Sequence, residues 1–409
     1  MDKVSSSYYG SIKIAAYFLF LFSGLIKWIP FPVDFTLFLG LFLLVFIAND
    51  AYKISFRLYN LTIGYLYITF YVFVLVYMLS FFYSDSKIYA LIKLKGFVLN
   101  TIAFTFPITS IKVEDSNKIV QVVTILTLLM IVFFCYLLYV DLFDLILTNE
   151  DDQLKFFFTS LPSYLSYGAL LCISFILLIN NNSFFAVVYK LIIFYFLIIL
   201  TGRGPLLSLI LILIFNYLLR KKNFNYIKYL KYIFIFVLIA TLYVYFEFEF
   251  FDFERFNVFS NYKSDESVSG RFIYIEKCLD GFLDSPIFGN GIGSTGLLIS
   301  GNDIVLYPHN LFVEVLAECG LIGFILYLSI FVFSILIVYT KKIPFEYFPI
   351  LLVVLFVFIQ DMKSGAFEAW RISCGLLSIA TIFLNYNFMP KDSFNDNQVN
   401  KRIGTSYDY

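Results

Sequence analysis

The chain has 409 residues, of which 61% are hydrophobic and only 14% are charged, whereas a soluble globular domain carries about 25% charged residues. This excess of apolar residues excludes an ordinary soluble domain and predicts a protein embedded in lipid. Lysine plus arginine equals aspartate plus glutamate, 29 of each, so the net charge gives no sign of a nucleic-acid partner.

Twelve apolar runs recur along the chain, each near the roughly 17–25 residues that span a bilayer. They lie near residues 12–29, 34–48, 61–83, 90–108, 118–140, 161–180, 184–200, 205–219, 229–246, 321–340, 346–362 and 370–388. Lys93 and Lys95 interrupt the fourth run. The sequence therefore predicts an all-α polytopic membrane protein, with residues 1–409 forming a single membrane domain.

Basic residues in the short loops predict the orientation, because such residues concentrate on the cytoplasmic side. Lys53, Lys112 and Lys341 belong to one alternating set of loops, and the other set is poor in lysine. This alternation predicts two cytoplasmic termini and one large extracytoplasmic loop at residues 247–308. It also places Trp370, like Trp28, in an aromatic belt at the outer interface.

The large loop contains a predicted amphipathic helix near residues 271–282. Its apolar residues recur at helical spacing after Ser269, a plausible N-cap, which predicts a helix lying on the membrane surface. Arg271 then falls in the first turn, where a guanidinium and free backbone N–H groups can hold an anion together. The alternative is an exposed arginine paired with Glu276.

Two further segments have the composition of anion-binding sites. Arg203 lies in a Thr-Gly-Arg-Gly-Pro run that predicts a tight hairpin between two apolar runs. It could bind an anion or simply anchor the interface. The glycines from Gly289 to Gly293, with Gly291 at their centre, fit a phosphate-cradling nest or a plain turn equally well.

His309 is the only histidine in the chain. It follows Pro308 and precedes Asn310 and a run that looks helical, with Glu314 and Glu318 about one turn apart on one face. An imidazole can take a proton from a hydroxyl near neutral pH or donate a hydrogen bond to a phosphate. The alternative is a histidine with a purely structural role.

The sequence gives no sign of a metal site, because no cluster of histidine and cysteine has metal-ligand spacing. The acidic run 150–152 is better explained as a solvated loop. Cys278 and Cys319 could form a disulfide if both face an oxidising compartment, but their spacing does not decide this.

The order of these motifs resembles the O-antigen ligase and O-antigen polymerase superfamily of bacterial polysaccharide assembly. The motifs are TGRGP at 201–205, SGR at 269–271, SPIFGNG at 285–291, PHN at 308–310 followed by Glu314, and GLIG at 320–323. They cover roughly residues 195–340, and the architecture extends the resemblance to the whole chain.

The resemblance implies a membrane glycosyltransferase similar to the GT-C class, which needs neither a metal nor another cofactor. Its donor would be a glycan on undecaprenyl pyrophosphate, used at the outer face of the bacterial inner membrane. The implied catalytic residues are His309, Arg271 and Arg203, and the candidate substrate-binding residues are Arg371, Asn310, Glu314 and Gly291. Partners would be the lipid-linked donor, a glycan acceptor and membrane lipid, with a chain-length regulator protein as a further candidate.

Three functions remain open at this point. An O-antigen polymerase joins repeat units to one another. It is favoured here because the chain is rich in Phe, Tyr, Ile and Asn, as proteins encoded in variable polysaccharide clusters often are. An O-antigen ligase would instead transfer the glycan to the lipid A core of lipopolysaccharide. A transporter or flippase is disfavoured, because transporters place charged residues near the bilayer midplane and the candidates here gather at the outer face.

Overall fold

A computed structural model describes residues 2–26, 34–50, 61–148, 164–199, 203–220, 266–340, 348–364 and 370–385. Within these ranges the secondary structure consists of α-helices and three short 3₁₀ turns, with no strand. The all-α prediction is therefore confirmed for this part of the chain.

The α-helices follow the predicted apolar runs closely. They are α1 Asp2–Leu21, α2 Phe35–Asp50, α3 Leu61–Leu79, α4 Ile88–Ser110, α5 Ser116–Thr148, α6 Tyr164–Leu177, α7 Phe184–Ile199, α8 Arg203–Arg220, α9 Glu266–Asp284, α10 Ser294–Ser300, α11 Leu311–Thr340, α12 Phe348–Ser364 and α13 Arg371–Asn385. Eleven of the twelve predicted runs overlap one of these helices. The run 229–246 lies outside the described residues, so the count of twelve spans stays a prediction, as does the GT-C-like fold.

Four helical segments are long and apolar enough to cross a membrane: Gly64–Phe82, Ile88–Ser110, Ser116–Tyr136 and Leu311–Phe333. Large apolar side chains also point away from the protein interior. Phe38 is 57% exposed, Leu129 62% and Phe185 83%, and such a surface is stable only against lipid or another apolar partner. Together these features indicate a membrane protein, while the cytoplasmic placement of the termini stays a prediction.

Helix α4 lies at the centre of the described bundle and packs against α1, α2, α3, α10 and α13. Its contact with α1 illustrates the packing: the Tyr17 hydroxyl donates to the Ala103 carbonyl at 2.7 Å, and the Tyr17 ring stacks on Phe106 at 4.7 Å between centroids. A buried hydroxyl keeps a hydrogen-bond partner in this way while its ring adds apolar contact area.

Helix α11 is folded back on itself at Gly320, whose φ of 59° and ψ of −158° are not helical. The Phe312 ring lies 6.0 Å from Phe324 and 5.3 Å from Tyr327. In a straight helix, residues twelve and fifteen positions apart are separated by about 18 and 22 Å. We therefore divide α11 into a short arm, residues 311–319, and a long arm, residues 321–340. The segment Leu311–Phe333, counted above by length and composition, is therefore not one straight rod, and the long arm coincides with the predicted run 321–340.

The loop 286–291 supplies hydrogen-bond partners to both sides of this break. The N–H groups of Leu321 and Ile322 donate to the carbonyls of Pro286 and Ile287, at 2.9 and 3.3 Å. In the other direction, Asn290 N–H donates to the Ala317 carbonyl at 2.9 Å. A helix break leaves backbone groups without intrahelical partners, so the loop stabilises the fold-back by supplying those hydrogen-bond partners.

The predicted aromatic-belt position of Trp370 is wrong. The side chain is 2% exposed, and its indole N–H donates to the Asp361 carboxylate at 3.1 Å. The ring lies beside Phe73 and Tyr327 in the bundle interior, 5.9 and 5.5 Å between centroids. An indole favours an interface because it needs one polar partner, and here a buried carboxylate satisfies that need. Trp28 lies outside the described residues.

Candidate active site

Helix α9 is attached to the short arm of α11 by a small apolar cluster. Cys278 of α9, Ile299 of α10, and Val313 and Ala317 of the short arm are all buried together. The amphipathic helix predicted near residues 271–282 falls within α9. This packing brings the helix that carries Arg271 against the arm that follows His309.

His309 adopts a strained backbone conformation next to the short arm. Its φ is 54°, and it is the one residue other than glycine with a positive φ in the described ranges. Bulky residues rarely adopt this conformation, and it recurs at functional sites. The half-buried imidazole lies against the Tyr307 ring, 4.5 Å between centroids.

The environment of His309 keeps its imidazole neutral at physiological pH. Burial, together with the positive charge of Arg271, lowers the pKa of His309 from 6.5 to about 4. The electrostatic effect also shows that Arg271 lies within interaction range of the imidazole. A neutral imidazole can accept a hydrogen bond from a hydroxyl, and the guanidinium of Arg271 can bind a phosphate.

Asn310 fixes the chain directly after His309. Its side-chain oxygen accepts hydrogen bonds from the N–H groups of Phe312 and Val313, at 3.0 and 3.2 Å. This is the geometry of a helix N-cap, and it determines where the short arm begins. The structure thus gives Asn310 a structural task, and its predicted contact with substrate stays a prediction.

The short arm also carries a fully buried charge cluster. Lys93 of α4 pairs with both Glu314 and Glu318, and all three side chains have 0% exposure. Glu318 accepts two further hydrogen bonds, from Tyr77 at 2.6 Å and from Thr295 at 3.0 Å. The binding role predicted for Glu314 is untested. The carboxylate is enclosed by the protein and ion-paired in this conformation.

Sequence reasoning missed Lys93 as part of this region. In the sequence Lys93 stands out only as an interruption of an apolar run, although an intramembrane lysine usually has a buried acidic partner. Glu314 and Glu318, one turn apart, were the matching signal. What the sequence lacked was the spatial link between α4 and a segment more than two hundred residues away.

The glycine-rich loop packs closely against its neighbours. Gly291 has a φ of 86°, and a Cβ there would lie 2.6 Å from the Ser84 Cβ, so only glycine fits. Its N–H donates to the Glu318 carbonyl at 2.8 Å. The N–H group that a phosphate nest would use is thus engaged within the chain, and the substrate-binding role of Gly291 stays a prediction.

Two other predicted arginines occupy different parts of the fold. Arg203 is the first residue of α8, but its side chain and residues 201–202 lie outside the described part. Arg371 is 6% exposed, and its Nε donates to the carbonyls of Phe20 and Leu21 at 3.3 and 3.1 Å. The described contacts of Arg371 therefore lie at the carboxyl end of α1, and its role in binding substrate is untested.

Asp303 is a second structural residue that sequence reasoning missed. Its carboxylate accepts hydrogen bonds from the Ser86 hydroxyl and from the N–H groups of Lys87, Ile88 and Tyr89, at 2.7 to 3.2 Å. Desolvation acts to raise the pKa of this carboxyl, but these hydrogen bonds outweigh it and lower the pKa from 3.8 to about 2. The loop that leads to His309 is thereby anchored to the amino end of α4.

The cysteines are unpaired thiols, Cys278 and Cys319 included. Within the described ranges, no three His, Cys, Asp or Glu residues are grouped so as to hold a metal ion.

Comparison with known families supports the resemblance seen in the motifs. Residues 188–328 match the family model described as O-antigen ligase, which confirms the relation to the O-antigen ligase and polymerase superfamily over that segment. The segment contains Arg203, Arg271, Gly291 and His309, whereas Arg371 lies beyond it. No curated protein matches the sequence significantly.

Proposed function

We propose that this protein is a membrane glycosyltransferase that polymerises undecaprenyl-pyrophosphate-linked repeat units at the outer face of the inner membrane. The observation that carries the proposal is a neutral imidazole, His309, that lies within electrostatic range of the guanidinium of Arg271. Both residues lie in the segment that matches the O-antigen ligase family model. The superfamily relation supports the reaction class, and the two side chains provide groups suited to that reaction.

The reaction breaks the bond between the anomeric carbon and the pyrophosphate oxygen and forms a glycosidic bond to the acceptor oxygen. His309 takes the proton of the acceptor hydroxyl as that oxygen attacks. The departing undecaprenyl pyrophosphate retains the bonding electron pair, and its growing negative charge is stabilised by Arg271 and, in this proposal, by Arg203. A fixed guanidinium suits this task because it stays charged and binds phosphate oxygens in a bidentate manner.

The strained backbone of His309 fits this role. The N-cap at Asn310 and the anchor at Asp303 hold the segment between them from both ends. A base held in this way needs little reorganisation when the acceptor binds.

The proposal is tested with a deletion strain complemented by plasmid-borne variants, followed by the polysaccharide ladder on a gel. Arg271→Ala and His309→Ala should abolish long chains, with a loss of at least about 100-fold in transfer, the scale of one lost charge-stabilising or acid–base group. Asp280→Ala is the matched control, because its side chain is exposed on the same helix, and it should leave the ladder intact. Wild-type chain length in both test variants would refute the assignment.

The ligase is the second candidate, and it is the activity named in the description of the matching family. The same deletion strain separates the two. Loss of a polymerase leaves single repeat units on the lipid A core, whereas loss of a ligase leaves the core without repeat units. In either case the donor and the proposed residues are the same, and only the acceptor differs. A chain-length regulator is a proposed partner of the polymerase alone.

A transporter or flippase is the third candidate. Purified protein in liposomes should transfer glycan between labelled lipid-linked repeat units. Movement of the labelled lipid across the bilayer without any transfer would instead favour the flippase.

A further inference from the structure

A buried ionic cluster ties the short arm of α11 to the rest of the bundle. Lys93 of α4 contacts the carboxylates of Glu314 and Glu318, and its Nζ also lies 4.5 Å from the centre of the Tyr89 ring. With one cation and two carboxylates, a fully ionised cluster carries a formal charge of −1. Lys93 is the group that makes burial of both acids tolerable, because uncompensated buried charges are strongly unfavourable.

The cluster joins four elements at one point. Lys93 comes from α4, Tyr77 from α3, Thr295 from α10, and the two glutamates from the short arm. A short helical arm that folds back has few contacts of its own along the chain, so cross-links from several helices determine its position.

The position of the short arm in turn determines the position of His309. The Glu314 N–H donates to the Asn310 carbonyl at 3.0 Å, which places the ion-paired residue one helical turn from the N-cap. Asn310 directly follows His309. Any shift of the short arm is therefore transmitted to the imidazole through a single rigid turn.

We infer that Lys93 is a positioning residue of the active site: by pairing with Glu314 and Glu318 it holds the short arm folded back and thereby aims His309 at the substrate. The inference deepens the proposed function and rests on it for the activity readout alone. The structural readout, the titration of the His309 imidazole, does not depend on the proposed function. The chain contains one histidine. Ring-¹⁵N-histidine labelling therefore reports on this residue alone, provided that the affinity tag contains no histidine.

The experiment compares Lys93→Met with Glu314→Gln in the full-length protein in nanodiscs. Among the described residues, Arg271 is a charged neighbour and Tyr307 an aromatic neighbour of the imidazole. If the ionic cluster positions the arm, either variant exposes the imidazole to water. The titration midpoint of the His309 imidazole then moves in both variants from about 4 towards 6.5. Transfer activity should fall by about 100-fold, the loss typical of a misplaced catalytic group.

The two variants separate positioning from a direct electrostatic effect. Lys93→Met makes the cluster more negative, whereas Glu314→Gln makes it less negative. Opposite shifts of the midpoint would therefore mean that His309 senses only the field of the cluster, and they would overturn the inference. An unchanged midpoint in both variants would overturn it as well. Glu314→Gln preserves side-chain shape, so it remains informative if Lys93→Met does not accumulate.

Lys13→Met is the matched control. Lys13 forms the other well-buried lysine–carboxylate pair of the described residues, with Asp50 at 2.7 Å. Ser110 hydrogen-bonds to the same Asp50 oxygen, and it is seventeen residues from Lys93 on α4, about 25 Å along the helix. Loss of this pair should leave the His309 midpoint unchanged, and an equal shift would refute a specific role for Lys93. If the midpoints behave as expected but no variant or wild type transfers glycan, the positioning stands and the proposed function fails.

Discussion

His309 is the residue whose protonation state should control the reaction. Its pKa is lowered by burial first and by the charge of Arg271 second. Because the folded pKa lies below the unfolded value, the unfolded chain takes up this proton earlier as the pH falls. His309 therefore opposes folding progressively as the pH falls from about 6.5 towards 4.

The acid limb of kcat/KM should consequently lie well below pH 6.5, near the free-enzyme pKa of about 4. The acid limb of kcat should lie at higher pH, because a bound pyrophosphate stabilises the protonated imidazole. Transfer assays with purified protein and a lipid-linked donor, from below pH 4 up to pH 8, would measure both. An acid limb of kcat/KM at or above 6.5 would contradict the proposed role of the neutral imidazole.

Arg271→Ala separates the two causes of the lowered pKa. Removing the guanidinium should raise the His309 midpoint, but burial remains the larger cause, so the midpoint should stay below 6.5. Titration of the single labelled histidine measures this without any need for activity. Arg271→Lys is the control, since it retains a positive charge. Its His309 midpoint should lie closer to that of the wild type than the midpoint of Arg271→Ala does.

At the scale of elements, the fold-back of α11 depends on Gly320. Gly320→Ala introduces a side chain at a φ of 59° and drives its Cβ into the Ile287 backbone. We expect destabilisation by about 1–3 kcal/mol from backbone strain, with the steric clash in addition, and a large loss of transfer because the short arm moves. Thermal unfolding in detergent and the polysaccharide ladder measure the two effects.

Gly301 provides the matched control for that substitution. Its φ is 76°, but a Cβ there meets no atom within 4 Å. Gly301→Ala therefore carries the backbone strain without the clash. If Gly320→Ala proves no more harmful than Gly301→Ala, close packing at the break is not what requires the glycine.

The anchor between Asp303 and the amino end of α4 should contribute measurably to stability. Asp303→Ala removes the acceptor of three backbone N–H bonds and should lower the free energy of unfolding by about 1–2 kcal/mol, the effect of losing a helix cap. Since the pKa of this carboxyl is lowered to about 2, its contribution is complete above pH 3.8 and is lost as the pH falls through 2. Asn302→Ala, at the neighbouring exposed position, should have little effect in the same unfolding assay.

At the scale of the whole molecule, the predicted orientation can be tested by cysteine labelling. In a background without the native cysteines, Asn302→Cys should react with a membrane-impermeant maleimide in spheroplasts, because its loop is predicted to be extracytoplasmic. Lys112→Cys lies in the connection between α4 and α5 and should react only after permeabilisation. Both native side chains are exposed, so differences in reactivity report the side of the membrane. The reverse pattern would invert the proposed topology.

The sequence by itself determined the features that depend on local composition. Apolar runs of bilayer length predicted eleven helices that the structure describes, because backbone groups in lipid must be satisfied within each segment. The motif order likewise predicted the superfamily relation now found over residues 188–328. His309 and Arg271 could be singled out because polar and charged residues are rare in such a chain and their neighbours are distinctive.

Only the tertiary structure decided which distant groups meet. The partners of Lys93 and Asp303, the interior position of Trp370 and the folding back of α11 all depend on contacts between segments far apart in sequence. Local patterns carry no information on such pairs, because a buried charge or indole can be satisfied by any suitable group that packing brings near. The arm that brings the only imidazole within electrostatic range of a guanidinium is a property of the folded bundle as a whole.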